Sequence, residues 1–215
     1  MGADEPADFA LLAAWRDGDR RAADRLVARH YHRVLRFFEL RAGFLAEDLT
    51  QQTFTACVAA RDGVRDGASF RAFLFGIARR QLAESQRRHE RREAAAQPAP
   101  SWNGFETSLS LRVARRKEQQ ILLHAMTALP DDLLLLVQMY YWEGMPTAEI
   151  AEVLEVLPST LTSRLARART LLREAIAAVA PGTELRDAII GELDAWARSL
   201  AAIPLSEAPA RRSPA

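Results

Sequence analysis

Apolar positions recur every three or four residues along almost the whole chain, and strand-type alternation is absent, so the pattern predicts an all-α protein. A first helix over about residues 7–16 gathers Leu11, Leu12 and Trp15 on one side and stops at Gly18. Asp19 is placed to cap a longer second helix, which runs to about Arg41. Its broad stripe holds Leu26, Val27, His30, Val34, Phe37 and Phe38, and Gly43 ends it. A third helix spans about Ala46 to Arg61, and the glycine-rich break D-G-V-R-D-G-A-S follows. Ser69 then caps a fourth helix, Phe70 to about Glu93. Four helices with one apolar stripe each make a small bundle.

From Ala94 to about Thr107 the periodicity is lost among prolines and a glycine, which predicts a linker over 94–107 between a bundle at 1–93 and a second domain at 108–180. At ~3.3–3.6 Å per residue an extended linker reaches roughly 45–50 Å. That exceeds the ~34 Å pitch of B-DNA, so tethered domains can occupy sites more than a turn apart. Trp102 and Phe105 are unusual in such a spacer and have two readings, an anchor on a partner or packing on one of the domains. A helix from Ser108 to about Ala128 opens the second domain, and Pro130 starts the next. The run Leu133–Val137 with Met139, Tyr140 and Trp142 is too apolar for solvent and forms the domain's scaffold. Gly144 breaks it, and Pro146 and Pro158 each start a further helix, the last reaching Val179. In the extension at 181–215, Leu185, Ile189, Leu193, Trp196 and Leu200 make one amphipathic helix from Thr183 to about Ala202. The polar end beyond it has the composition of a disordered tail.

Charge adds little globally: 29 basic and 28 acidic residues leave a net charge of +1. Its distribution matters more, because a local basic face acts within roughly 8–10 Å at physiological salt. Lys117 is the sole lysine, so the positive charge is almost all arginine, whose forked guanidinium suits phosphates and guanine edges. Cys57, the single cysteine, excludes an internal disulfide and reads as a buried small hydrophobe. The acidic start M-G-A-D-E-P-A-D has no apolar run, and no segment approaches the ~20 apolar residues of a membrane span. The expectation is a cytoplasmic protein without membrane insertion.

Little in the chain suits an enzyme. His30, His32, His89 and His124 lack metal-ligand spacing, no glycine-rich phosphate loop follows a strand, and no nucleophile motif is present. Asp131 and Asp132 beside Pro130 read as carboxylates at a helix N-terminus, not as an acid/base pair. No catalytic residue, metal or cofactor is expected. Recognition is better served. In the helix over 159–179, Leu161, Leu165, Ala168, Leu172 and Ile176 form the inward stripe. Ser159, Thr160, Thr162, Ser163, Arg164, Arg167 and Arg169 lie outside it. Short hydroxyl side chains at the start of such a helix let the backbone approach base edges, and the arginines that follow reach guanines or phosphates.

Three segments together resemble the extracytoplasmic-function group of the bacterial sigma-70 family, over about Asp8 to Ala178. A-E-D-L-T-Q-Q-T-F (Ala46–Phe54) resembles the helix that grips the clamp helices of core RNA polymerase. F-R-A-F-L-F-G-I-A-R-R-Q-L (Phe70–Leu82) resembles the segment that melts and reads the −10 element. L-P-D-D through R-A-R (Leu129–Arg169) resembles the domain that binds the −35 element and the polymerase flap. The resemblance implies core polymerase contacts at Asp48, Leu49, Gln51, Gln52 and Phe54, of which Leu49 and Phe54 match its apolar positions and have a second reading as core. It implies −10 contacts at Phe73, Arg79, Arg80, Arg87 and Arg88, with a flipped base captured by the loop Arg61–Ser69 and stacking support from Phe70 or Phe73. It implies −35 contacts at Ser159, Thr160, Thr162, Ser163, Arg164 and Arg167. A regulatory partner of the anti-sigma type is also what the family implies. The chain departs from the family in having Phe73 for a frequent Trp, Arg80 for Asn, and Glu155 and Ser159 for two glycines. Pro146 and Leu157-Pro158 replace polar helix starts, which predicts a turn built differently, with Pro158 fixing the start of the second helix.

The function expected is that of a sigma factor directing core polymerase to promoters and helping to open the −10 region. A free-standing helix-turn-helix regulator with a sensing or dimerising N-terminal bundle is the competing reading, and a helical adaptor without DNA contact is a third. Replacing Arg164 and Arg167 by Ala separates the last from the others: promoter-dependent transcription is expected to fall, whereas an adaptor's activity stays unchanged.

Overall fold

The computed structural model describes residues 7–64, 69–95, 117–180 and 182–199. Every regular element among them is helical. The linker with Trp102 and Phe105, residues 108–116 of the expected helix from Ser108, the middle of the Arg61–Ser69 loop and the expected disordered end lie outside the described residues.

The first compact unit contains α1 (Asp8–Arg16), α2 (Arg20–Ala42), α3 (Ala46–Ala60) and α4 (Phe70–Ala94). It also contains the later α7 (Thr147–Leu154), because residues 146–158 pack with it. Local chemistry sets the helix ends. The Asp19 carboxylate accepts from the Arg21 and Ala22 amides at 2.8 and 3.4 Å, and the Ala72 amide donates to Ser69 Oγ at 3.3 Å. Gly43 stops α2 at φ 50°, where a side chain is disfavoured. A 3-10 turn, Gly43–Leu45, then leads into α3. The core is aromatic: Phe37 meets Phe38 and Phe75 edge-on at 5.1 and 5.5 Å, and Leu26, Val34, Leu49 and Leu74 are buried around them. Asp8 fastens α1 to α2 through Arg29 (2.6 Å) and His30 (2.7 Å). The His30 hydrogen bond outweighs burial and holds the Asp8 carboxyl down at about 2.

The second unit contains α5 (Lys117–Thr127), α6 (Asp131–Val137), α8 (Pro158–Val179), α9 (Thr183–Gly191) and α10 (Leu193–Ser199). Leu133 to Val137 are all buried, as is expected of a scaffold. A π-helical turn, Gln138–Trp142, follows α6 and turns Tyr141 inward. The extension is two helices rather than the one its stripe predicts. Glu192, at φ −112° and ψ 27°, interrupts it. Residues four apart drift about 40° round an unbroken helix. Ile189, Leu193 and Ala197, on both sides of the break, are all buried, with α9 and α10 against α5. The side chain of Trp196, and Leu200, lie outside what is described.

The turn after α7 corrects the expectation of a different construction. Glu155 takes the left-handed conformation at φ 56° and ψ 43°. The Val156 amide bonds the Ala151 carbonyl at 3.0 Å and the Glu155 amide bonds the Glu152 carbonyl at 3.2 Å, the Schellman pattern that glycine ordinarily completes. Among the described residues Glu155 alone has positive φ without being glycine. That conformation costs a non-glycine residue about 1–2 kcal/mol. The exposed Glu155–Arg79 pair, at 3.4 Å, returns no more than about 1 kcal/mol. Glu155→Gly is therefore expected to raise stability by about 0.5–1 kcal/mol, read as an upward shift of the urea midpoint.

Glu39 on α2 is half-buried, and burial pushes its carboxyl up to about 7, with Arg36 opposing and Glu47 adding to the rise. Between the ordinary value near 4.5 and 7 the folded chain keeps a proton that the unfolded chain releases, so stability falls as pH rises through that window. Glu39→Gln is expected to stabilise the protein at pH 8 and not at pH 5, measured by denaturant unfolding at both values.

Candidate nucleic-acid and partner interfaces

α3 divides sharply between an inner and an outer face. Thr50 and Thr53 are buried and turn their hydroxyls to the Ala46 and Leu49 carbonyls, each at 2.7 Å, which lets polar side chains sit in the core without an unmet donor. Leu49 is 2 % exposed and belongs to that core, so it fastens the helix instead of offering a contact. Phe54 is half-buried, with its ring stacked 6.0 Å from Tyr31. Asp48, Gln51 and Gln52 lie open on the outer face. Glu47 and Asp48 sit in the first turn, where the helix dipole favours carboxylates. Cys57 is buried, and burial pushes its thiol up to about 12, far from the thiolate that reactive cysteines need.

α4 buries Phe70, Leu74, Phe75, Ile77, Ala78 and Leu82, and beyond Leu82 none of its described side chains is fully buried. Phe70, a candidate for stacking a flipped base, is 3 % exposed and packs on His30 at 5.5 Å, so it is core. Phe73 is half-buried, 6.4 Å from Phe70. The start of the Arg61–Ser69 loop is tied to α1. Arg16 donates to the Arg61 carbonyl at 3.2 and 3.0 Å and to that of Val64, and Arg61 lies 5.7 Å from the Trp15 ring. The arginines of α4 then separate. Arg79 is engaged within its unit, donating to the Val153 carbonyl at 3.1 Å. Nearby, Glu149 of α7 accepts from Ser69 (2.9 Å) and Arg71 (3.3 Å). Arg80, Arg87 and Arg88 are exposed. Glu84 gathers Arg87, Arg88 and Arg91 at 3.4–3.7 Å, exposed pairs worth at most about 1 kcal/mol each that a phosphate can displace.

On α8 the stripe Leu161, Leu165, Ala168, Leu172 and Ile176 is buried as its spacing predicts. Ser159, Thr162, Ser163 and Arg167 are exposed, while Thr160 and Arg164 are half-buried. Ser163 donates to the Thr160 carbonyl at 2.9 Å, and Arg164 lies 3.9 Å from Asp132 at the start of α6. Arg169 differs from its neighbours. It donates to Tyr141 Oη at 2.8 Å and to Asp194 at 3.2 Å, and Tyr141 also donates to Asp194. Burial pushes the Tyr141 hydroxyl up to about 12, and the Trp142 indole donates to the Ala197 carbonyl at 3.0 Å. This cluster joins the scaffold, α8 and α10, and the extension is thereby built into the unit. Local sequence carries no signal for a pairing across 25 residues such as Arg169–Asp194.

Among the described residues no group of three His, Cys, Asp or Glu side chains is arranged to hold a metal ion, and no helix is long and apolar enough to cross a membrane.

Comparison with known proteins matches two segments of the chain. The family model described as Sigma-70 region 2 covers residues 23–92, and Sigma-70, region 4 covers residues 119–172. RNA polymerase sigma-H factor of Pseudomonas aeruginosa is 27% identical over 182 residues, spanning 79% of this chain and 93% of that protein. ECF RNA polymerase sigma-E factor of Escherichia coli is 26% identical over 176 residues, 75% of this chain and 90% of that one. Among solved structures, CnrH in complex with the cytosolic domain of CnrY superposes with a TM-score of 0.60 at 24% identity, covering 81% of this chain and all of CnrH. The sigma factor RpoE, bound to the anti-sigma factor NepR from Bartonella quintana, gives 0.58 at 21% over 74% of this chain and 98% of RpoE. These two show a shared fold. With region 2 over the bundle that carries α3 and α4 and region 4 over the segment that carries α7 and α8, this chain belongs to the sigma-70 family, in its extracytoplasmic-function group.

Proposed function

We propose that this sigma-70 family member directs core RNA polymerase to its promoters and helps to open the −10 region. It is an initiation factor; nucleotide chemistry belongs to the polymerase. The observation that carries the reading is the presence of region 2 and region 4 on one chain, in the family's order. The three polar surfaces add support. Asp48, Gln51 and Gln52 are open on α3 and suit a polymerase contact, with Phe54 at its edge. Phe73, Arg80 and Arg87 on α4 suit −10 DNA, an aromatic face and two cations serving an unstacked strand. Ser159, Thr162, Ser163 and Arg167 on α8 suit the −35 major groove, with Thr160 and Arg164 at the margin. Domain boundaries at 93/94 and 107/108 follow from the same reading, as does a cytoplasmic place of action beside polymerase and promoter DNA. An anti-sigma factor covering the polymerase-binding surface is the regulatory partner this reading adds.

Gel filtration with sigma-free bacterial core polymerase tests it. The chain is expected to co-elute with core, and Asp48→Ala with Gln51→Ala to weaken co-elution clearly. A wild-type chain that elutes alone at micromolar concentrations of both sinks the proposal.

A further inference from the structure

Resting on the sigma-factor reading, we propose that Arg33, Ser69 and Arg71 form a seat for a backbone phosphate of the promoter strand. Glu149 of α7 fills this seat in the free chain as an internal phosphate mimic. Arg33, Arg71 and Glu149 are not among the residues that the resemblance assigns to DNA.

A hollow of about 550 Å³ opens between α2 and the start of α4 in the first unit. Arg29 and Arg33 stand on its α2 side, Ser69 and Arg71 on its α4 side. Two carboxylates enter it. Asp8 is taken by Arg29 at 2.6 Å and His30 at 2.7 Å, so it balances the cation beside it. Glu149 arrives from α7, with its side chain only 25% exposed. One of its oxygens, Oε2, accepts from Ser69 Oγ at 2.9 Å and from Arg71 at 3.3 Å. A hydroxyl and a guanidinium converging on one anionic oxygen are the donors that proteins turn to DNA phosphates. With Glu149 in place, the guanidinium groups of Arg29, Arg33 and Arg71 face the carboxylates of Asp8 and Glu149. Without it they face Asp8 alone, an excess of positive charge that an outside anion satisfies.

Position selects the promoter strand as the source of that anion. α7 is held at two places along α4. Glu149 grips its start, and further on Arg79 donates to the Val153 carbonyl at 3.1 Å and pairs with Glu155 at 3.4 Å. Residues 71 and 79 are about 12 Å apart along the helix. One cover thus lies over the seat and over Arg79, which the resemblance gives to −10 DNA. A strand brings phosphates for both places, whereas a free polyphosphate engages the hollow alone. α7 itself falls within the stretch matched by region 4. Its departure from α4 opens the seat and Arg79 together, so the first unit becomes ready for DNA only when that helix lets go.

Phosphate contacts carry no sequence information, so a fluorescein-labelled 20-nucleotide single strand of mixed sequence is a sufficient probe. Its anisotropy is titrated with full-length chain at several salt concentrations, without polymerase. Wild type is compared with Glu149→Gln and with Glu149→Gln/Arg33→Ala/Arg71→Ala, thermal unfolding serving as the folding check. Arg33 is exposed, so Glu149→Gln/Arg33→Ala replaces the triple variant should the Arg71 change cost folding. Glu149→Gln is expected to bind at least fivefold more tightly, with a log–log salt slope steeper by about 0.7, the value of one phosphate on a single strand. Removing the arginines is expected to abolish both gains. Wild-type affinity and slope in Glu149→Gln overturn the proposal. A gain that survives loss of the arginines means only that α7 has loosened, and overturns the seat. Sodium triphosphate that raises the unfolding temperature of Glu149→Gln, with DNA affinity unchanged, overturns the assignment to the promoter strand. Co-elution of the wild-type chain with core polymerase is scored separately. Where it holds and the seat fails, the sigma-factor reading stands; where it is absent, that reading falls and the promoter-strand assignment falls with it.

Discussion

Burial of the apolar stripe of α4 is the constraint on which the first unit depends. Phe70, Leu74, Phe75, Ile77, Ala78 and Leu82 enter the core, and a helix so fixed has no rotational freedom left. Each fully buried large side chain contributes about 1.5–3 kcal/mol, against at most about 1 kcal/mol for an exposed ion pair. The orientation of every arginine on α4 is thus decided by the apolar residues, not by the arginines' own partners. After Leu82 the helix outlasts the core, and its last turns carry charge into solvent on two faces. One looks along α3 and the other looks away. The two faces stay distinct because 3.6 residues per turn keeps their side chains apart.

The same logic orders α3. Thr50, Thr53, Leu49 and Cys57 commit one side of a fifteen-residue helix to the bundle, which leaves Asp48, Gln51 and Gln52 with nowhere to go but outward. Their exposure is a by-product of packing and is available to a partner without any rearrangement of the core. The second unit uses a polar device for a similar end. Arg169 lies on α8, yet Tyr141 and Asp194 take up its donors and convert it into a tie between the scaffold and the C-terminal extension. The π-helical turn makes this possible by bringing Tyr141 inward immediately after the buried run of α6.

The helices α1 to α4 are read almost residue for residue from periodicity and caps, since Asp19, Gly43 and Ser69 act within a few residues of themselves. The α8 stripe is equally plain. The surfaces are less so. Leu49 has the sequence context of a contact but the burial of a core residue, and Phe70 is interior where a stacking role was open to it. Arg79 and Arg80 are neighbours in sequence, yet one donates to the Val153 carbonyl and the other is exposed. A one-residue step turns a helix by about 100°, so adjacent identical residues meet different surroundings that only packing defines.

What the sequence by itself determined is the class of elements, their order and the types of residue each could expose, because helix periodicity and capping are local. It also determined the family, because three motifs in order with a linker between them are a property of the chain. Tertiary structure alone decided that α7 packs with the first unit, that the extension breaks at Glu192 to fill the second, and that Glu155 accepts a left-handed backbone to complete its turn. Each of these sets a local preference against burial elsewhere in the fold. Burial prevails because it sums over many contacts, while a cap, a propensity or a single strained φ is worth only about 1–2 kcal/mol.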